Sequence, residues 1–173
     1  MHSPALDHLA LFSREATTWA PLYLFLIIFM AMNHGKQGWW WVVTALALVG
    51  VSDLISSHVI KEIFHRTRPC RDPFMAHQIR FIASTCGMNG SFVSSHASNH
   101  FTIATFIYGT LGKTEHKWGF IYLWAVLICW AQVYVGVHYP FDILGGALIG
   151  TLIGLFGSSF FGKKIGLTIS SKA

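Results

Sequence analysis

This sequence is short of charge. Asp, Glu, Lys and Arg make up 11% of its 173 residues, against 53% apolar residues. That is about half the charged share of an ordinary soluble domain, and so few charges cannot cover a water-facing surface. The competing reading, a very apolar soluble helical protein, fits poorly with the lengths of the apolar runs described below. No basic run with interleaved aromatics occurs, so a nucleic-acid partner is not expected despite a formal net charge of +5. In a membrane protein a basic balance reads as anchoring lysines instead. The residue alternation of a lipid-facing β-barrel is missing as well. Nothing at the start resembles a secretory leader: Asp7, Arg14 and Glu15 interrupt residues 1–18. Leu6, Leu9, Ala10, Leu11 and Phe12 suggest a short helix lying in the membrane interface. Cysteine is scarce, with three in the chain. Cys129 sits in an apolar segment and reads as a small core residue. Cys70 and Cys86 flank one polar loop and could form a disulfide if that loop lies outside the cytoplasm.

What the sequence does have is five apolar segments, at 19–33, 38–60, 94–111, 118–137 and 140–161. A helix needs about 20 residues to cross the hydrocarbon, and helices are the open-chain solution that satisfies every backbone amide there. The expectation is therefore an all-α integral membrane bundle in one domain, 1–173, with about five transmembrane helices. A polar loop at 62–93 is expected to fold over one face, because it is too long to be a mere connector. The links at 33–37 and 112–117 are short and lie on the opposite side. That side carries Lys36, Lys113, Lys117, Lys163, Lys164 and Lys172, and the loop side carries Arg14, Lys61, Arg66, Arg68, Arg71 and Arg80. The raw count ties, but short-loop lysines read as cytoplasmic anchors and arginines in the long loop as anion ligands. The loop is thus expected outside the cytoplasm, in a bacterial inner membrane. Trp39, Trp40, Trp41 and Trp118 are expected to form an inner aromatic belt. Gly146, Gly150 and Gly154 make overlapping small-xxx-small steps, a packing signal.

Three polar clusters then fall at one membrane face. Asp53, Ser57 and Lys61 are spaced i, i+4, i+8 on one helix face, and Arg68-Pro69 follows. A lysine point charge and an arginine fork are complementary phosphate ligands, although this cluster taken alone reads more readily as two interfacial cations binding lipid headgroups. The second cluster is Ser94-Ser95-His96, followed by Asn99 and His100. Its serines can cap the next helix, and a helix N-terminus accepts an anion. His96 and His100 at i, i+4 could instead bind a metal, but no further ligand completes such a site. The third is His138-Tyr139-Pro140-Phe141-Asp142. Pro140 suits a helix start. Asp142, four residues on, can orient the His138 imidazole and leave its other nitrogen free as a nucleophile. A capping aspartate beside an interfacial histidine accounts equally well for this cluster taken alone.

Together the clusters resemble the type 2 phosphatidic acid phosphatase superfamily. Its signature is Lys, six residues, Arg-Pro; then Pro-Ser-Gly-His; then Ser-Arg, five residues, His, three residues, Asp. The first part is matched in full by Lys61 to Arg68-Pro69, the second keeps Ser94 and His96, and the third keeps His138 and Asp142. Val93 and Ser95 replace the usual Pro and Gly, and Gln132 stands where the family has Arg. The resemblance implies a metal-independent, cofactor-free phosphatase working through a phosphohistidine. In it, His138 would be the nucleophile, Asp142 its orienting partner and His96 the acid. Lys61, Arg68, Ser94, Ser95 and Gln132 would hold the phosphoryl oxygens, with a loop arginine such as Arg66 or Arg71 making up for the missing charge. The expected partners are the bilayer and a lipid phosphate, first a polyprenyl diphosphate such as undecaprenyl diphosphate. Phosphatidylglycerophosphate, phosphatidic acid and lipid A phosphate are the alternatives. A catalytically weak lipid-phosphate binding or transport protein is the reading from another class; an oriented imidazole argues against it.

Overall fold

The computed structural model describes residues 3–167, so Lys172 of the lysine set lies outside the described residues. Among them the regular elements are all helical. Helix α1, Pro4–Arg14, has its proline in the first turn, where the missing N–H has no intrahelical partner to lose. Its Leu6, Leu9 and Phe12 are exposed while Ala10 is buried, as expected of a helix lying in the interface. Helix α2, Ala20–Leu54, is interrupted at Gly35, with φ 51° and ψ −122°, a backbone conformation glycine adopts without a Cβ penalty. The chain reverses there. A Cβ on Gly38 would lie 2.0 Å from the Met30 carbonyl oxygen, and Leu26 and Met30 share a buried cluster with Trp41 and Val42. The first two expected spans are thus the two arms of a hairpin. A π-helical turn, Ile55–Ile60, leads into α3, Lys61–Phe64, so the second arm reaches three residues into the segment expected to be loop.

Helices α4 (Ser95–Leu111), α5 (Ile121–Tyr134) and α6 (Pro140–Lys164) complete the bundle. The helical run Ala16–Phe64, which holds both arms of the hairpin, and α6 each contain a stretch long and apolar enough to cross a membrane. Helix α4 is central and touches α2, α5 and α6. Its contact with α6 is made through glycine: a Cβ on Gly146 would lie 2.4 Å from Ser94 O, and one on Gly150 2.1 Å from Ser98 O. Backbone-to-backbone approach of this kind needs small residues. On the outward side of α6, Leu144, Leu148, Leu152 and Leu155 are exposed, a stripe at helical spacing suited to lipid. Trp39 and Trp40 are exposed, but Trp41 is 3% exposed. It packs on Phe106 and donates to Thr110 Oγ1 at 2.8 Å, so it belongs to the core rather than to an aromatic belt.

The loop that follows α3 carries a short 3-10 turn, Pro69–Arg71, and further turns over 73–78. A Cys70–Cys86 disulfide closes it. Tyr139 at the start of α6 donates to Asp72 at 3.0 Å, and Ser91 N donates to Arg66 O at 2.7 Å. These ties lay the loop over the end of the bundle where α4 and α6 begin.

Candidate active site

His138 follows the last turn of α5, and Asp142 lies in the first turn of α6. Both are buried. Their nearest approach is His138 Nδ1 to Asp142 Oδ2, 3.4 Å. The same carboxylate oxygen accepts Ser91 Oγ–H at 2.5 Å and Tyr139 N–H at 2.8 Å, and Asp142 N–H in turn donates to Tyr139 O at 3.0 Å. The other oxygen accepts from Arg66 Nη1 at 2.9 Å. A fully buried carboxylate is therefore surrounded by donors, which is what its burial requires. Burial pushes the His138 imidazole below its ordinary value. The bond to Asp142 opposes that shift, and the Arg68 charge adds to it.

Arg68 comes from the loop. Its Nε donates to Asn89 O at 3.0 Å, its Nη1 to Val137 O at 3.4 Å, and Nη1 is 3.2 Å from His138 Nε2. Gly87 makes room for it: a Cβ there would come within 3.1 Å of the guanidinium carbon. Lys61, 6% exposed, donates to Ser95 Oγ at 2.8 Å, its one hydrogen-bond acceptor among the described residues. Ser95 Oγ is also 2.7 Å from Ser57 Oγ, and Ser57 and Asn99 both donate to Asp53 Oδ1. The i, i+4, i+8 face of Asp53, Ser57 and Lys61 thus survives the π-helical turn. Ser94 is the N-cap of α4, accepting from Ala97 N at 3.4 Å. Its own N–H donates to Asp142 O at 3.0 Å, which pins the starts of α4 and α6 together. His96 is exposed at that start, and His100 Nδ1 lies 2.7 Å from its carbonyl oxygen.

The structure therefore gathers Lys61, Arg68, Ser94, Ser95, His96, His138 and Asp142 at one end of the bundle. Gln132 is buried in α5, and neither of its amide atoms has a hydrogen-bond partner. Arg66 is committed to Asp142 and lies over the Tyr139 ring at 4.2 Å, and Arg71 reaches Met88 O at 3.4 Å. Ser91 and the pairing of Arg66 were not legible beforehand, since nothing in their spacing marks them. Beside Arg68, a cleft of about 320 Å³ is lined by His65, Arg66, Arg68, Arg71 and Asn89. No group of three or more His, Cys, Asp or Glu side chains converges among the described residues.

A helical bundle with a buried histidine–carboxylate pair, two cations and a helix N-terminus at one end defines a recognisable class of membrane-embedded protein. Residues 38–165 match the family model of the PAP2 superfamily, and the chain belongs to that superfamily. It is similar to a lipid A 4'-phosphatase of Bacteroides thetaiotaomicron, 28% identical over 87% of this chain and 67% of that protein. It is also similar to an undecaprenyl-diphosphatase of Sulfolobus acidocaldarius, 31% identical over 74% of this chain and 66% of the other. The chain thus spans about two thirds of the length of these curated relatives. A crystal structure of a transmembrane PAP2-type phosphatidylglycerolphosphate phosphatase from Bacillus subtilis shares the fold, with TM-score 0.71 at 23% identity over 95% of this chain and 80% of that one. The protein is an all-α integral membrane bundle.

Proposed function

We propose that this protein is a lipid phosphatase that cleaves a phosphate ester or diphosphate at the membrane surface, with His138 as the nucleophile. The observation that carries this reading is the setting of His138. Asp142 faces one ring nitrogen, and a cation waits at the other. A protein that only bound lipid would need no oriented imidazole. In the reaction the Nε2 lone pair forms a bond to phosphorus as the bond from phosphorus to the lipid oxygen breaks. His96 gives that oxygen a proton. Water then attacks phosphorus, its proton passes to His96, and the N–P bond breaks with its electron pair returning to Nε2. Lys61, Arg68 and the amides at the start of α4 take the charge of the equatorial oxygens. Arg68 swings from Nε2 onto one of these oxygens as the phosphate enters. Cationic side chains supply the charge stabilisation, so no metal ion is required.

A polyprenyl diphosphate such as undecaprenyl diphosphate is the first substrate reading. The arginine-lined cleft beside Arg68 offers its second phosphate a place. Lipid A 4'-phosphate is the second reading, favoured by the Bacteroides relative that aligns with most of the chain. The active face is assigned to the exterior of a bacterial inner membrane. The lysines on the opposite side support this, as does a disulfide, which persists in oxidising compartments. The test is phosphate release by the protein in detergent, with excess EDTA, from undecaprenyl diphosphate, lipid A, phosphatidic acid and phosphatidylglycerophosphate. Release that persists in EDTA and disappears in His138→Ala is expected. Release that requires added zinc or magnesium would overturn the mechanism.

A further inference from the structure

Arg14 ends α1, the interfacial helix that packs against α5. Ala10, one turn earlier, is fully buried in a cluster with Ala131 and Val135 of the α5 end. Asp7, a further turn back, accepts from Tyr134 at 2.8 Å and pairs with Arg80. Residues 7, 10 and 14 lie on one face of a helix, so the anchored side of α1 carries Arg14 against the bundle. Beyond it the chain is tied down again. Trp19 Nε1 donates to Ser13 O at 2.7 Å, and its ring meets Trp124 at 5.9 Å. Trp124 in turn meets His100, whose ring is stacked with His96.

Arg14 Nε is buried with no hydrogen-bond partner, and no ion pair holds the side chain among the described residues. A buried guanidinium nitrogen without a partner is costly, and so asks for a missing acceptor. The charge of Arg14 acts on both Arg68 and His96. A cation whose charge is felt at two other positively charged or protonatable groups, with no carboxylate paired to it, is arranged for an anion that is not a protein side chain. Gln132, the uncharged residue at the motif position of α5, has both amide atoms unpaired, and its neighbour Ala131 packs with Ala10 of α1. We propose that Arg14 is a phosphate-binding residue of the active site. A cation on the interfacial helix would then do the work that this chain does not place on α5. The inference rests on the phosphatase reading and names a further ligand for the same anion.

The obvious consequence is that α1 is a working part of the site as well as a membrane anchor. The test uses orthovanadate, a phosphate mimic, on the full chain in detergent. In Arg14→Gln, vanadate inhibition should weaken by about 10-fold to 100-fold, the range of a charge-assisted hydrogen bond, with thermal stability little changed. Arg14→Lys, which keeps the charge and loses the fork, should fall between. A measurement on the unmodified protein covers the case in which Arg14→Gln does not fold. Orthovanadate should protect Arg14 from phenylglyoxal, as read by mass spectrometry, and absence of protection overturns the proposal. Unchanged vanadate inhibition in a folded Arg14→Gln overturns it too. If His138→Ala is inactive in the same experiment, the phosphatase reading still stands. A wild-type protein that neither releases lipid phosphate nor binds vanadate overturns both.

Discussion

Arg68 Nη1 lies 3.2 Å from His138 Nε2, and this contact assigns the tautomer of the histidine. A guanidinium has donors and no acceptor, so Nε2 must be the acceptor. The ring proton is then on Nδ1, facing Asp142 Oδ2. The nitrogen with the free lone pair is the one directed at the cation, which is the arrangement a histidine nucleophile requires.

Arg68→Gln should therefore cut phosphate release by about 100-fold to 1000-fold, the range for removing one donor that stabilises developing negative charge. Arg68→Lys should not recover it. Carbonyls of Asn89 and Val137 hold the guanidinium at two of its nitrogens, and a lysine cannot meet them and the phosphate together. Single-turnover rates at saturating lipid check this, and wild-type rates in Arg68→Lys would show that position 68 supplies charge alone.

The acid limb of activity is set by His138. Its folded value lies below the ordinary 6.5, chiefly through burial, so the nucleophile stays neutral to a lower pH than a free imidazole would. The acid limb of kcat/KM should accordingly fall below pH 6.5. Stability has a definite sign. Below 6.5 the unfolded chain takes up a proton that the folded site resists, so the folded state loses ground as pH falls towards the folded value. Above 6.5 neither state carries that proton and this residue contributes no slope. Profiles for two different lipid phosphates separate the enzyme's limb from substrate titration, because the enzyme's limb is common to both. A shared limb above 6.5 would contradict the assignment.

Much of this site is legible in the sequence because helical spacing is rigid. His138 and Asp142 meet across a helix start that Pro140 announces. Lys61 reaches Ser95 because Asp53, Ser57 and Lys61 share a face even through a π-helical turn. The glycine stripe of α6 told its packing role in advance for the same reason. Side chains delivered by irregular backbone escape such reasoning. Ser91 and Arg66 reach Asp142 from the loop, where no period relates position to direction. Trp41 misled in another way. A tryptophan run near a turn reads as an interfacial belt, but Gly38 brings the two arms of α2 so close that the third ring is enclosed on Phe106.

The glycine contact between α4 and α6 should be intolerant of a single methyl group. In Gly150→Ala the new Cβ would lie 2.1 Å from the Ser98 carbonyl oxygen, and backbone cannot swing aside as a flexible side chain can. A loss of about 1–3 kcal/mol is expected from overpacking. Activity should fall with it, since the same contact positions Ser94 and Asp142. Gly162→Ala is the control: nothing lies within 4 Å of its Cβ, and the helix gains propensity. Thermal denaturation of the two variants in one detergent decides the matter, and equal midpoints would deny the close approach.

Gln132 separates two physical demands on one side chain. It is fully buried, and both amide atoms lack partners, a state that costs about 1–3 kcal/mol for a buried polar group. Methionine has nearly the same shape and no such atoms, so Gln132→Met should raise the thermal midpoint if the amide serves stability alone. If the amide instead waits for a phosphoryl oxygen, as its motif position implies, the same variant should also weaken vanadate inhibition. The expected loss is smaller than for Arg14→Gln, because a neutral hydrogen bond is roughly half as strong as a charge-assisted one. The expected result is the combination: a higher midpoint and a several-fold poorer response to vanadate. A lower midpoint with unchanged vanadate inhibition would mean that Gln132 supports its neighbours in α5 and never touches the anion.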